Sequence, residues 1–213
     1  MSAREAAKPD GRPAGQPLEG GWESDPDVEL MLRARGGDHR AFRELFSKFS
    51  EPLLNFAYRF VGNRDRAEEL VQDAFLQIYR ARERYEPRAR FATFLYRVTT
   101  NLCLNELRRF EYQGRIEPLE GTSDDGEEGG RELPDEHLPT ADEHLMGRET
   151  ADRIQKVLDR LPPNQKSALL LSRVEGLSYQ EVADCLETSV SAVKSLIFRA
   201  TQSLRQELEE FIS

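Results

Sequence analysis

Residues 82–97 read RERYEPRARFATFLYR, so Arg82, Arg84, Arg88, Arg90 and Arg97 interleave with Tyr85, Phe91, Phe94 and Tyr96. Guanidinium groups track a phosphate backbone and aromatic faces stack on unpaired bases, so this mixture suits single-stranded nucleic acid. The same spacing also fits an ordinary core stripe beside a solvated arginine face, and Phe94 in particular sits where a core residue would. Pro87 places a loop at the centre of the segment. Tyr85, within that loop, is harder to account for as core.

A second segment has a different chemistry. Ser178-Tyr-Gln-Glu181 has the spacing of a capping box, in which the serine serves a free backbone N–H and the glutamate reaches back. It opens a short helix over Tyr179–Leu186. Glu187–Thr188 turn the chain, and Ser189 caps a longer helix running to about Leu208. Short helix, tight turn and longer helix is the helix-turn-helix plan, whose second helix enters the major groove. Val190, Val193, Ile197, Ala200 and Leu204 form its inward stripe, leaving Ser191, Lys194, Ser195, Phe198, Arg199 and Gln202 outward. Phe198 lies off the core stripe, where contact with a thymine methyl explains it better than burial. The turn holds Glu187 where Gly is common.

Catalytic constellations are not found. The chain has no Gly-rich phosphate loop, no His-Glu-x-x-His and no Cys pair at zinc spacing. His137 and His144 stand near Asp142 and Glu143, but in an acidic, Gly- and Pro-rich stretch better read as solvated linker than as a metal site. Cys103 and Cys185 each lie among apolar residues and read as inert core thiols. No cofactor and no metal are expected.

The elements that must position these segments follow from length and charge. The chain has 213 residues with a formal net charge of -9, which excludes a wholly basic, histone-like protein. Two Cys exclude a disulfide scaffold and fit a reducing cytosol. No apolar run approaches the roughly 20 residues of a membrane span, and residues 1–21 lack the apolar core of a signal peptide. Charge is unevenly spread. Residues 28–110 carry 16 basic and 11 acidic side chains, whereas residues 111–150 carry 3 basic and 13 acidic. The acidic stretch has no apolar periodicity and too little apolar surface to offset the entropy of ordering.

Two helical modules remain. In the first, Leu30, Leu32, Ala41, Phe42, Leu45, Phe46 and Phe49 recur at helical spacing, broken by Gly36–Gly37–Asp38. Further helices are predicted over Pro52–Val61, Asp65–Arg82 and Ala92–Phe110, and in the second of these Leu70, Val71, Ala74, Phe75, Ile78 and Tyr79 form one apolar stripe. In the second, a helix ending at Pro162–Pro163 and another over Ala168–Val174 precede the helix-turn-helix.

Taken together, AEELVQDAFLQIYRAR, FATFLYRVTTNLCLNELRR and LPPNQKSALLLSRVEGLSYQEVADCLETSVSAVKSLIFRATQSLR resemble bacterial RNA polymerase sigma factors of the extracytoplasmic-function (ECF) type, the group with only two conserved domains. The resemblance implies an all-α fold of two small helical domains joined by a flexible acidic linker. Its divisions are a disordered extension (1–27), sigma domain two (28–112), linker (113–149) and sigma domain four (150–213). It implies a polymerase-docking helix carrying Glu69, Leu70, Val71, Gln72, Asp73, Phe75, Leu76, Gln77, Tyr79 and Arg80. It implies capture of the melted −10 strand by Arg84, Tyr85, Arg88, Arg90, Phe94, Arg97, Asn101 and Arg108, with Phe94 standing where the family usually has Trp. It implies reading of the −35 duplex by Tyr179, Ser189, Ser191, Lys194, Ser195, Phe198 and Arg199. The expected partners are core RNA polymerase, promoter DNA and an anti-sigma factor, often membrane-bound in this family. The chain itself is expected to be a cytoplasmic, non-catalytic initiation subunit without membrane insertion. A free-standing helix-turn-helix regulator would explain the last module but leave the arginine-aromatic segment unexplained.

Overall fold

The computed structural model describes residues 22, 24–116 and 154–212, with the surroundings of side chains 22, 24–110 and 154–207. The described residues are helical and contain no strand. The acidic stretch with His137 and His144, and most of the N-terminal extension, lie outside them.

Helix α1 spans Pro26–Arg35 and begins where the Asp25 carboxylate accepts from the Asp27 N–H. The division drawn after residue 27 therefore falls inside a helix. Asp27 itself is buried and accepts from Lys48 Nζ at 2.6 Å. The Gly36–Gly37–Asp38 break is real, and Asp38 caps α2 (His39–Val61) by accepting from Arg40 N and Ala41 N.

The expected separate helix from Pro52 does not exist: α2 runs through Pro52 for 23 residues. A proline in a helix interior removes one donor and costs roughly 3 kcal/mol. Phe49, Leu53 and Phe56, buried on the same side, offset it at about 1.5–3 kcal/mol each. Gly62, at φ +68°, ends the helix in the left-handed region with its N–H on Tyr58 O at 2.8 Å.

Helix α3 (Arg64–Ala81) is capped by Asn63, whose side chain accepts from Arg66 N. It buries Leu70, Val71, Ala74, Phe75 and Ile78 against α2. A short 3-10 turn, Arg82–Arg84, and a loop lead to α4 (Phe91–Ile116), six residues longer at its end than the periodicity suggests.

In the second module α5 (154–160) and α6 (Pro163–Leu169) precede a π-helical turn, Leu170–Val174. Helix α7 (Tyr179–Cys185) starts with both halves of the predicted capping box in place. Glu187 then adopts φ +51°, so the turn keeps the left-handed conformation without a glycine. Helix α8 (Val190–Ile212) follows, with Val193, Ile197 and Ala200 buried.

One apolar cluster runs through both modules, from Val28 and Leu45 of the first to Val182 and Ile197 of the second. Between the modules, α4 packs against α7.

Candidate nucleic-acid interface

Helix α8 presents its face as the pattern required. Ser191, Lys194, Ser195 and Arg199 are exposed on the side opposite Val193, Ile197 and Ala200. Phe198 is 69% exposed, the largest value among the exposed large apolar side chains. Ser189 accepts from Ala192 N and fixes the first turn. Tyr179 and Ser189 are half-buried at the edge of this face.

The arginine-aromatic segment forms a cavity rather than an open platform. About 330 Å³ in volume, it is lined by Arg84, Tyr85, Arg88, Phe94 and Arg97, with Asp184 of α7 on its wall. Tyr85 is only 7% exposed, so its loop position does not make it available for stacking. It packs on Phe94 (centroids 5.4 Å apart) and Phe91 (6.5 Å), and its backbone carbonyl accepts from Arg35. The Asp25 carboxylate also accepts from Phe91 N, so the two ends of α1 pin the two ends of the loop. Burial pushes the Tyr85 phenol up to about 12, and its hydroxyl has no hydrogen-bond partner.

Phe94 is half-buried with Arg97 stacked over it at 5.6 Å. Arg84, Arg88, Arg90, Asn101 and Arg108 are exposed. Asn101 and Arg108 lie further along α4 and do not line the cavity.

On α3 the ten docking candidates divide by face. Glu69, Gln72, Asp73, Leu76, Gln77 and Arg80 are exposed, and Tyr79 is half-buried. Leu70, Val71 and Phe75 are buried against α2 and hold the helix; they present no surface to a partner. Periodicity had already put those three on the apolar stripe. Leu76 is 43% exposed, and so is Phe46 of α2, whose ring sits 4.8 Å from that of Phe75. Phe46 lies on the apolar spacing of α2, yet packing leaves it at the surface.

Three polar groups missed in the sequence hold the frame. Arg66 of α3 meets Glu106 of α4 in a two-point ion pair, and the guanidinium holds the buried carboxyl below the ordinary carboxylate range. Lys166 is 2% exposed and donates to Phe60 O at the end of α2 and to Asp159. Burial lowers its ammonium from the ordinary value, and Asp159 opposes that. A lysine inside the run KSALLL was the available signal. Cys103 and Cys185 are buried thiols pushed up to about 12 by burial. Among the described residues no group of three or more His, Cys, Asp or Glu could hold a metal ion, and no helix is long and apolar enough to cross a membrane.

Two helical modules stand in this order, and the second is a helix-turn-helix whose α8 has an exposed outward face. Residues 45–111 match the Sigma-70 region 2 family and residues 151–204 match the Sigma-70 region 4 family. The RNA polymerase sigma-H factor of Pseudomonas aeruginosa is 31% identical over 88% of this chain and 96% of its own length. The ECF RNA polymerase sigma factor SigE of Mycolicibacterium smegmatis is 35% identical over 89% of this chain and 71% of its own. In fold, the chain resembles CnrH in its complex with the cytosolic domain of CnrY (TM-score 0.66, 24% identity, 87% of this chain and 99% of that one). It also resembles the sigma factor RpoE of Bartonella quintana (TM-score 0.57, 20% identity, 79% and 96%). The chain belongs to the ECF family of RNA polymerase sigma factors, which direct the polymerase to promoters.

Proposed function

We propose that the two modules divide promoter recognition as the domains of this family do, with boundaries near 28–112 and 150–213. The second module reads the −35 duplex through Ser191, Lys194, Ser195, Phe198 and Arg199, with Tyr179 and Ser189 at the edge. The carrying observation is Phe198, a large apolar side chain that is 69% exposed on the outward face of α8. The first module docks on core polymerase through Glu69, Gln72, Asp73, Leu76, Gln77, Tyr79 and Arg80. It holds the melted −10 strand with Arg84, Arg88, Arg90, Phe94 and Arg97, assisted by Asn101 and Arg108. Tyr85 forms the floor of that cavity. Unstacking a base costs a few kcal/mol, which stacking and cationic contacts offset.

The protein acts in the cytoplasm as a non-catalytic subunit without a cofactor, and an anti-sigma factor restrains it. The restraint is supported by the Bartonella quintana relative, solved with the anti-sigma factor NepR. Run-off transcription with purified core polymerase tests the reading. Transcripts from a defined promoter set are expected only when the protein is added; no transcript and no core binding would refute it.

A further inference from the structure

Tyr79, half-buried in the last turn of α3, is held from both sides of the chain. Its ring packs on Phe42 of α2 with centroids 4.9 Å apart, and Phe42 in turn meets Phe75 edge-on at 6.2 Å. That packing needs only a ring. The hydroxyl has a partner of its own: it shares a 3.0 Å hydrogen bond with Nδ1 of His39, the first residue of α2 and 40 positions back. The Arg82 guanidinium lies over the same ring, 4.2 Å from its centroid, and donates to Tyr79 O at 2.8 Å.

Arg82 opens the arginine-aromatic run, yet it does not line the cavity that Arg84, Arg88 and Arg97 share. Its charge instead covers the end of α3, where a cation suits the free carbonyls. Neither contact is needed to join α3 to α2, because Leu70, Val71 and Phe75 are buried there and do so already. His39 is exposed, and surface groups of this kind contribute little to folding stability. What the two contacts fix is the orientation of one side chain. Ordering a tyrosine on association has an entropic cost, which ordering it beforehand removes.

We infer that His39 and Arg82 are positioning residues for core polymerase, holding the Tyr79 ring and hydroxyl in the orientation that the polymerase meets. The inference rests on the docking assignment of Tyr79 made above. It also divides the arginine run, with Arg82 on the polymerase side and Arg84, Arg88 and Arg97 on the strand side.

The test titrates the full chain and its variants with purified core polymerase and unfolds each of them in urea. His39→Ala and Tyr79→Phe are each expected to weaken core association about three- to tenfold, as loss of one net hydrogen bond does. The double variant is expected to lose no more than either single one, because both remove the same bond. His39→Gln, which keeps a hydrogen-bonding side chain, is expected to recover most of the loss. Urea midpoints are expected to stay unchanged throughout. Arg82→Ala is expected to weaken core association by a similar factor while capture of a single-stranded −10 oligonucleotide, measured at saturating core, stays the same.

Additive losses in the double variant, or a fall in urea midpoint that accounts for the weaker association, overturn the role of His39. Impaired strand capture by Arg82→Ala at saturating core overturns its place on the polymerase side. Tyr79→Ala separates this inference from the docking assignment. If it leaves core association unchanged, the assignment itself is refuted. If it weakens association while His39→Ala and Arg82→Ala do not, only the positioning role falls.

Discussion

Arg66 and Glu106, 40 residues apart, meet through two parallel contacts: Nε to one carboxylate oxygen and Nη2 to the other, each at 2.7 Å. The fork ties α3 to α4, and so ties the docking helix to the helix that carries Phe94 and Arg97. Arg66 also reaches Glu69, and Arg109 approaches the same Glu106. Planar two-point pairs of this kind give direction as well as energy. Arg66→Ala leaves a carboxylate that is 8% exposed without its partner. The expected loss is about 2 kcal/mol, read as a lower urea midpoint at neutral pH.

The same pair sets an acid limb. Because the folded-state Glu106 carboxyl is held below its ordinary value of 4.5, the folded protein binds the proton less readily than the unfolded chain. Its contribution to stability is therefore complete above the ordinary carboxylate range and is lost as pH falls through the folded value. Unfolding free energy followed from pH 7 downward is expected to decline less steeply in Glu106→Gln than in the unsubstituted protein. Equal slopes would show that the pair carries no linkage.

Helix α3 offers a pair of opposite substitutions one residue apart. Phe75 is 3% exposed and Leu76 is 43% exposed. Phe75→Ala is expected to cost about 3–5 kcal/mol of stability. Leu76→Asp is expected to change stability by less than about 1 kcal/mol while weakening association with core polymerase. Denaturation and a core-binding titration separate the two.

Phe198→Ala is expected to leave thermal stability within about 0.5 kcal/mol, since the ring is 69% exposed. Its cost falls on the −35 duplex, about 1–3 kcal/mol at the contacted position and little elsewhere. Binding to duplexes substituted base by base would locate that position. A uniform loss at every position would move Phe198 from base reading to general affinity.

Glu187 holds a left-handed backbone at φ +51° with its side chain exposed. That conformation costs an L-residue about 1 kcal/mol and a glycine nothing. Glu187→Gly is expected to raise stability by up to about 1 kcal/mol, with the −35 footprint unchanged, and a raised melting temperature would register it.

Much of this molecule is local and so was readable in order along the chain. The capping box Ser178–Glu181, the break at residues 36–38 and the outward set on α8 depend on neighbours within four residues. Periodicity alone therefore specified them, and the same arithmetic marked Leu70, Val71 and Phe75 as core. Resemblance named them as docking residues, and the face they occupy decides otherwise. The separate helix expected from Pro52 is instead part of α2, because the burial of Phe49, Leu53 and Phe56 is a tertiary gain that local propensity omits. Tyr85 is buried for a similar reason: residues 25 and 35, from far back along the chain, hold the two ends of its loop. By itself, then, the sequence determined an all-helical protein of two modules, the family to which it belongs and the outward face of α8. Only the tertiary structure decided which side chains of the arginine-aromatic segment are free and that Lys166 is buried between the modules. It alone also decided that α7 lies against α4. Those outcomes are set by contacts between residues some 80 to 106 positions apart, and no pattern within a turn or two of helix encodes them.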